Sequence, residues 1–136
     1  MLLRMLFAVL LAMASSWGAS YYTVRLDDPK AVYLTPDNFP VHGDGLADDT
    51  EAIQQAINKV QETTGQGIVF VPQGRYRLTK TVNIWPGIRV IGYGATRPVF
   101  LLADNTPGYQ DKDNERYMIF FAGSRPGAGR GSGGGL

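Results

Sequence analysis

The chain has 136 residues, with 13 lysines and arginines, 12 aspartates and glutamates, and no cysteine. A chain of this length allows one domain. The lack of cysteine excludes a disulfide framework and a lipidated cysteine anchor. A net charge of +1 gives no reason to expect nucleic acid as a partner.

Residues 1–19 have the pattern of a secretory signal peptide. Arg4 supplies the positive charge, residues 5–13 are uninterruptedly apolar, and small residues follow. Cleavage fits after Ala14, where Ala-Met-Ala satisfies the A-x-A rule, or after Ala19. Because so short an apolar run does not span a membrane, we expect a secreted protein, extracellular or periplasmic, without a stable membrane anchor. A buried N-terminal helix is the alternative interpretation.

Residues 20–42 are predicted to form an extended lead-in. Residues 21–26, Tyr-Tyr-Thr-Val-Arg-Leu, predict one strand. Prolines at 29, 36 and 40 then indicate extended or turn structure, because proline restricts both its own backbone and that of the preceding residue.

Residues 43–50, GDGLADDT, join a tight glycine turn to a helix start. Asp48 is expected to accept hydrogen bonds from free amides of the first helical turn, and Glu51 completes a capping-box pattern with it. Apolar residues at i, i+3, i+4 and i+7 predict one amphipathic helix over residues 50–63. This apolar stripe is formed by Ile53, Ala56, Ile57 and Val60.

Short apolar runs separated by glycine, proline and asparagine follow the helix. They predict strands at residues 68–71, 76–78, 82–84, 88–91, 99–102 and 118–121. The steps from Ile68 to Ile88 and from Val99 to Met118, of 20 and 19 residues, are typical of solenoid repeats. Periodicity alone leaves a small antiparallel sandwich with one helix equally open. The helix favours the solenoid, because an open solenoid end needs a cap with one apolar face.

Three segments resemble the opening of a known superfamily. They are GDGLADDTEAIQQAI at 43–57, GIVFVPQGRYRL at 67–78 and IRVIGYG at 88–94. In wording and order they are similar to the pectate-lyase-like proteins, which include glycoside hydrolase family 55 and rhamnogalacturonase-type enzymes. The resemblance covers residues 39–121. It implies a mainly β fold, the first rungs of a right-handed, single-stranded parallel β-helix over residues 43–122, and a polysaccharide substrate. Members include hydrolases, lyases, epimerases and phage tailspikes.

Acidic residues cluster in the glycine turn, where Asp44, Asp48 and Asp49 lie close in sequence. Glycoside cleavage uses paired carboxylates, but turn and helix-start positions favour structural roles in which carboxylates accept from backbone amides. His42, the only histidine, is predicted to hydrogen-bond locally. Residues 111–115 resemble the front of a calcium loop but lack its glycine and late glutamate, so a solvated loop is predicted. No metal or cofactor is predicted.

Basic and aromatic residues accumulate in the middle of the chain, where acids are absent. Guanidinium groups bind carboxylates bidentately and flat rings pack on sugars, so Arg75, Tyr76, Trp85 and Tyr93 are the candidate substrate-binding residues. Alternation along a strand places Arg75 and Arg77 opposite Tyr76. A solvated outer face is therefore the alternative interpretation.

Together these features predict the N-terminal, fold-initiating part of a secreted polysaccharide-degrading glycoside hydrolase or pectate-lyase-like enzyme. Seven glycines within residues 123–136 predict a flexible tail or loop. About three to four rungs precede it, near the minimum for a solenoid, which indicates a piece of a longer protein with its catalytic residues beyond Leu136. This chain alone is expected to be inactive. The alternative is a non-catalytic saccharide-binding or structural β-helix of tailspike or adhesin type.

Overall fold

A computed structural model describes residues 18–124. The predicted signal peptide, up to residue 17, and most of the predicted glycine-rich tail lie outside the described residues. Within the described part, no helix is long and apolar enough to cross a membrane. The elements in chain order are β1 Val32–Tyr33, β2 Asp44–Asp48, α1 Thr50–Thr63, β3 Gly67–Pro72, β4 Arg75–Leu78, β5 Val82–Ile84, β6 Ile88–Tyr93, β7 Val99–Leu102 and β8 Ile119–Phe121.

The strands form three sheets in which every named pair is parallel. The orders are β1-β3-β6, β2-β4-β7 and β5-β8. The chain therefore visits the three sheets in the order β3, β4, β5 and repeats this order with β6, β7, β8. Since these pairs are parallel, the antiparallel sandwich left open by the periodicity is wrong for the described residues, and the protein is a mainly β protein with parallel strands.

The sheet registers correct one predicted repeat. Ile68 pairs with Arg89, 21 residues later, close to the predicted step of 20. The predicted step from Val99 to Met118 is wrong as a stacking repeat, because β8 pairs with β5 and not with β7. Val82 is the partner of Ile119, 37 residues later. Strands that follow one another in sequence lie in different sheets, and the long segment between β7 and β8 lengthens this repeat.

Helix α1 covers the same bounds as predicted and buries the predicted stripe. Ile53, Ala56, Ile57 and Val60 are at most 3% exposed. They pack with inward-facing apolar residues of the sheets, namely Val69, Val71, Leu78, Val82 and Ile84. Burying an isoleucine or valine side chain stabilises the fold by about 1.5–3 kcal/mol. The stripe therefore holds the helix against the strands that follow it.

The start of α1 differs from the predicted capping box. Asp49 occupies the N-cap position and makes no side-chain hydrogen bond to the helix. Asp48 accepts from the Thr50 amide at 3.0 Å, as expected of an acceptor near the first turn. Glu51 instead accepts from Lys80 Nζ at 2.9 Å. The prediction that Asp48 and Glu51 form a reciprocal capping box is therefore wrong, because Lys80, from the β4–β5 connection, binds the glutamate instead.

A side chain of α1 hydrogen-bonds the backbone of β5. The Gln54 carboxamide accepts from the Asn83 amide at 2.8 Å and donates to the Asn83 carbonyl at 3.1 Å. Asn58, one turn later, accepts from Gln54 and from Trp85 Nε1, the latter at 2.7 Å. These side-chain contacts join the helix to the β5-β8 sheet and supplement the apolar packing.

The N-terminal arm, residues 18–31, lacks the strand predicted at residues 21–26. Tyr22 makes a single parallel bridge with Tyr93, whereas Tyr21 is 90% exposed. The Arg25 guanidinium lies 4.5 Å from the centre of the Tyr33 ring. The arm thus runs over the β1-β3-β6 sheet without a continuous pairing partner, which explains why strand propensity fails here. The short strand of the lead-in is β1.

Candidate functional site

The glycine turn before α1 is held by a fully buried carboxylate. Asp49 is 0% exposed. Its Oδ1 accepts from the His42 amide at 2.7 Å and its Oδ2 from the Gly43 amide at 2.9 Å. Gly43 and Gly45 have φ of +66° and +78°, a region that glycine enters without the steric penalty of a Cβ atom. Both oxygens of Asp49 are therefore used to fold the turn.

The other two acids of the cluster are also hydrogen-bonded within the protein. Asp44 Oδ1 accepts from the amides of Leu46 and Ala47 at 2.8 and 3.0 Å, and these bonds lower the pKa of Asp44. Partial burial raises the pKa of Asp48, but hydrogen bonds from the Thr50 and Thr79 side chains outweigh it, so its pKa is lowered overall. The structural roles predicted for these acids are confirmed.

The remaining candidates for catalysis or metal binding have local explanations. His42 Nδ1 lies 3.3 Å from Asp49 Oδ1, so the predicted local contact is confirmed. Residues 111–115 are exposed, as predicted for a solvated loop. Over residues 18–124, no three or more histidine, aspartate or glutamate side chains converge as metal ligands. Each of the three acids in the glycine turn therefore accepts hydrogen bonds from the protein itself.

The four candidate substrate-binding residues do not form one surface. Arg75 is exposed on β4. Tyr76, next to it, is 2% exposed and donates its hydroxyl to the Pro72 carbonyl at 2.8 Å. Burial and, secondarily, the Asp49 charge raise the pKa of Tyr76. The alternation predicted for Arg75 and Tyr76 is observed, and it removes the Tyr76 ring from any saccharide outside the protein.

Trp85 and Tyr93 lie on other parts of the molecule. Trp85 follows β5, is half-buried, and directs its indole nitrogen to Asn58. Tyr93 ends β6 in the β1-β3-β6 sheet and packs edge-on against Phe70, with ring centroids 6.4 Å apart. Sequence alternation identifies the face of a strand, but the distance between residues of different sheets depends on the tertiary fold.

A groove that sequence reasoning missed lies between the N-terminal arm and β6. It has a volume of about 400 Å³ and combines Tyr21, Tyr22 and Arg97 with backbone and apolar groups. Arg97 donates from Nε to the Ala19 carbonyl at 3.0 Å. Nothing in the local sequence brings Arg97 to a residue 78 positions earlier, so no sequence signal could have found this contact.

Parallel strands arranged in three sheets, with the acidic glycine turn as a structural element, define a parallel β protein of the class expected from the resemblance. Residues 37–127 match the family described as rhamnogalacturonase A/epimerase, pectate lyase-like. The match covers more than half of the chain, and the protein belongs to this pectate-lyase-like family. The family resemblance stated from the sequence is confirmed.

The curated relatives that this chain resembles are much longer proteins. The chain is 33% identical to alginate lyase 7 of Azotobacter vinelandii over 55% of its own length and 9% of that protein. It is 30% identical to a probable glucan endo-1,3-beta-glucosidase of Arthroderma benhamiae over 70% of its own length and 12% of that protein. Among solved structures, ORF18 of Geobacillus virus E2 overlaps 54% of this chain and 16% of its own, with 33% identity and a TM-score of 0.44. The chain therefore spans about a tenth of the curated relatives' length.

Proposed function

We propose that this chain forms the first rungs of a right-handed parallel β-helix in a secreted polysaccharide-acting protein. The observation that carries the proposal is the repeated order of three parallel sheets, β3-β4-β5 followed by β6-β7-β8, in a member of the pectate-lyase-like family. Right-handed crossover is the strong preference for parallel connections. The described strands then correspond to rungs that stack their apolar faces on one another.

In this proposal α1 is the cap of the first rung. Its buried stripe and the Gln54 contact to Asn83 support this role, as does the Thr79 amide, which donates to Thr50 Oγ1 at 2.9 Å. An end of a solenoid exposes apolar side chains and unpaired strand edges. A helix that supplies both apolar contacts and backbone-directed hydrogen bonds is suited to cover such an end.

The polysaccharide is cleaved, in this proposal, by hydrolysis or elimination at residues outside the described part of the chain. The relatives named as a glucanase and an alginate lyase support a polysaccharide substrate. The carboxylates of the glycine turn are engaged by backbone and hydroxyl donors within the protein, which supports a structural role for this turn. Catalysis would require residues supplied elsewhere in the protein.

Arg75 is the residue through which we propose contact with an acidic polysaccharide. It is exposed on β4 beside Arg77, also on the outward side of the strand. Two guanidinium groups on one face favour a chain that carries carboxylates over a neutral one, because guanidinium binds carboxylate bidentately. Alginate and pectin are suitable acidic probes, and a neutral β-1,3-glucan is the matched control ligand.

Affinity electrophoresis of the purified chain tests this proposal. We expect retardation in gels that contain alginate or pectin, loss of most of it in Arg75→Gln, and little change in Arg89→Gln, which removes an exposed charge from a different sheet. Equal losses for both variants would indicate unspecific charge attraction and contradict the assignment of Arg75. Assays for reducing ends and unsaturated uronides should show no turnover, and turnover above a blank would contradict the non-catalytic role.

A further inference from the structure

We propose that the groove between the N-terminal arm and β6 binds a uronate unit of an acidic polysaccharide, with the sugar carboxylate on Arg97. The inference rests on the proposed function and adds a second contact for the same polymer to the one at Arg75. The groove has a volume of about 400 Å³, and small-molecule sites typically have about 300–1,000 Å³. Val99, two residues after Arg97, is the register partner of Arg75. Both arginines therefore lie near the N-terminal ends of the neighbouring strands β4 and β7.

The guanidinium group of Arg97 is held in place by the arm. Its Nε donates to the Ala19 carbonyl at 3.0 Å. Gly18 lies against the guanidinium group, since a Cβ atom at this glycine would be 3.3 Å from Cζ of Arg97. Over residues 18–124, the two terminal nitrogens of Arg97 make no hydrogen bond or ion pair. Because Nε is occupied, a carboxylate can be bound bidentately only through these two terminal nitrogens.

The charge around the groove favours an anionic ligand. Arg97 is the only charged residue among those described that line the groove. The two stretches of chain that form it, residues 18–26 and 63–103, contain no aspartate or glutamate. A uronate supplies the carboxylate that these stretches lack, and guanidinium binds a carboxylate through charge-assisted hydrogen bonds that a neutral sugar cannot form.

Two tyrosines of the arm provide a surface for the sugar ring. Tyr21 is 90% exposed, and its ring stands at 87° to the ring of Tyr22, with centroids 4.9 Å apart. The Tyr22 carbonyl accepts from the Gly94 amide at 2.9 Å, which fixes this part of the arm beside β6. Within the described part of the chain, neither phenol hydroxyl makes a hydrogen bond. The two rings therefore offer apolar faces to the C–H groups of a sugar and two hydroxyls to its polar groups.

The floor of the groove depends on a glycine in β6. A Cβ atom at Gly92 would lie 2.5 Å from Cδ of Pro98, closer than Cβ atoms approach other atoms in proteins. Pro98 therefore packs directly on the backbone of β6, and this contact positions the preceding residue, Arg97. A side chain at position 92 would displace Pro98 and, with it, the guanidinium group.

Titration of the purified chain with digalacturonate, a disaccharide of galacturonic acid, tests the proposal by nuclear magnetic resonance. We expect the amide signal of Gly92 and the Nε–H signal of Arg97 to shift, and saturation of the tyrosine rings to transfer to the sugar. The fully methyl-esterified disaccharide is the matched ligand without charge, and it should bind at least about tenfold more weakly. Equal binding of the ester would overturn the role of Arg97. Equally tight binding of acetate would show an adventitious anion only and overturn the assignment to a sugar.

Variants of the two arginines separate this groove from the Arg75 contact. Arg97→Gln should weaken digalacturonate binding at least about tenfold, and Arg97→Lys should restore little of it because lysine lacks the planar fork. The matched Arg75→Gln should leave binding of this short ligand unchanged. Unchanged binding in Arg97→Gln, or equal losses in Arg97→Gln and Arg75→Gln, would overturn the proposal. The comparison with the ester uses the unmodified chain and decides the outcome if Arg97→Gln does not fold.

The polymer assay distinguishes failure of this inference from failure of the proposed function. Retardation by alginate or pectin that is lost in Arg75→Gln, without any binding of digalacturonate, would refute the groove and leave the proposed function intact. Absence of both polymer retardation and digalacturonate binding would refute the proposed contact with acidic polysaccharide itself.

Discussion

The buried carboxylate of Asp49 provides the sharpest test of how the glycine turn is built. It uses one oxygen for the His42 amide and the other for the Gly43 amide. A hydrogen bond to a charged group contributes about 1.5–3 kcal/mol. Because these amides are only part-buried, we take the lower value and expect Asp49→Ala to lower the free energy of unfolding by about 3 kcal/mol. This is a large fraction of the about 5–15 kcal/mol typical of a domain.

Asparagine distinguishes the role of Asp49 from that of Asp44. In Asp49→Asn one oxygen becomes an NH₂ donor that faces a backbone donor, so we expect a loss of at least about 1.5 kcal/mol. Asp44 accepts both of its amides through Oδ1 alone, and a carboxamide oxygen preserves that arrangement. Asp44→Asn should therefore change stability little.

Urea denaturation followed by far-ultraviolet circular dichroism measures the stability of all three variants under the same conditions. The expected order of midpoints is Asp44→Asn close to the unmodified protein, Asp49→Asn lower and Asp49→Ala lowest, with unchanged m-values. If Asp49→Asn and Asp44→Asn had the same midpoint, the two-oxygen explanation of the turn would be refuted.

Three further outcomes are expected. Ile57→Asp should lower the free energy of unfolding by at least about 4 kcal/mol, because it buries an unpaired charge in the core. The control Gln55→Asp, on the exposed side of α1, should change this free energy little. Similar Tm values for the two variants would contradict the packing of α1. The lowered pKa of Asp48 stabilises the fold above its unfolded pKa of about 3.9, and this contribution is lost as pH falls through the folded pKa; acid unfolding curves should be shallower for Asp48→Asn. The raised pKa of Tyr76 stabilises the fold below about pH 10, and this contribution is lost as pH rises further. In absorbance titrations of the tyrosines, Tyr76→Phe should remove the ionisation that occurs at the highest pH. An unchanged titration curve would contradict the burial of Tyr76.

Local patterns predicted the secondary structure well where one segment contains the whole signal. The stripe of α1 gave its bounds, Thr50–Thr63, and the apolar run at Val99–Leu102 gave the bounds of β7. The strand predicted at residues 21–26 failed because strand propensity needs a pairing partner, and within these six residues only Tyr22 forms a bridge. Pairing is a property of the fold and is not encoded in the segment alone.

The same limit applies to the candidate site, where relations within one strand were predicted and distances between sheets were not. Alternation correctly separated Arg75 from Tyr76, because both lie in one strand. Grouping Trp85 and Tyr93 with them required distances across sheets, which depend on where β5 and β6 run. The structural role of Asp49 was predicted, but its particular partners were missed, as was the pairing of Gln54 with Asn83. Each joins a side chain to a backbone whose position is set by tertiary packing.

The pairing of Gln54 with Asn83 closes one edge of the β5-β8 sheet. By offering a donor and an acceptor to the same residue, the carboxamide imitates one residue of an adjoining strand and occupies the β5 edge that faces α1. The opposite neighbour of β5 is β8. Further strands can therefore add to this sheet only on the side of β8, and α1 acts as the terminal strand would on the other side.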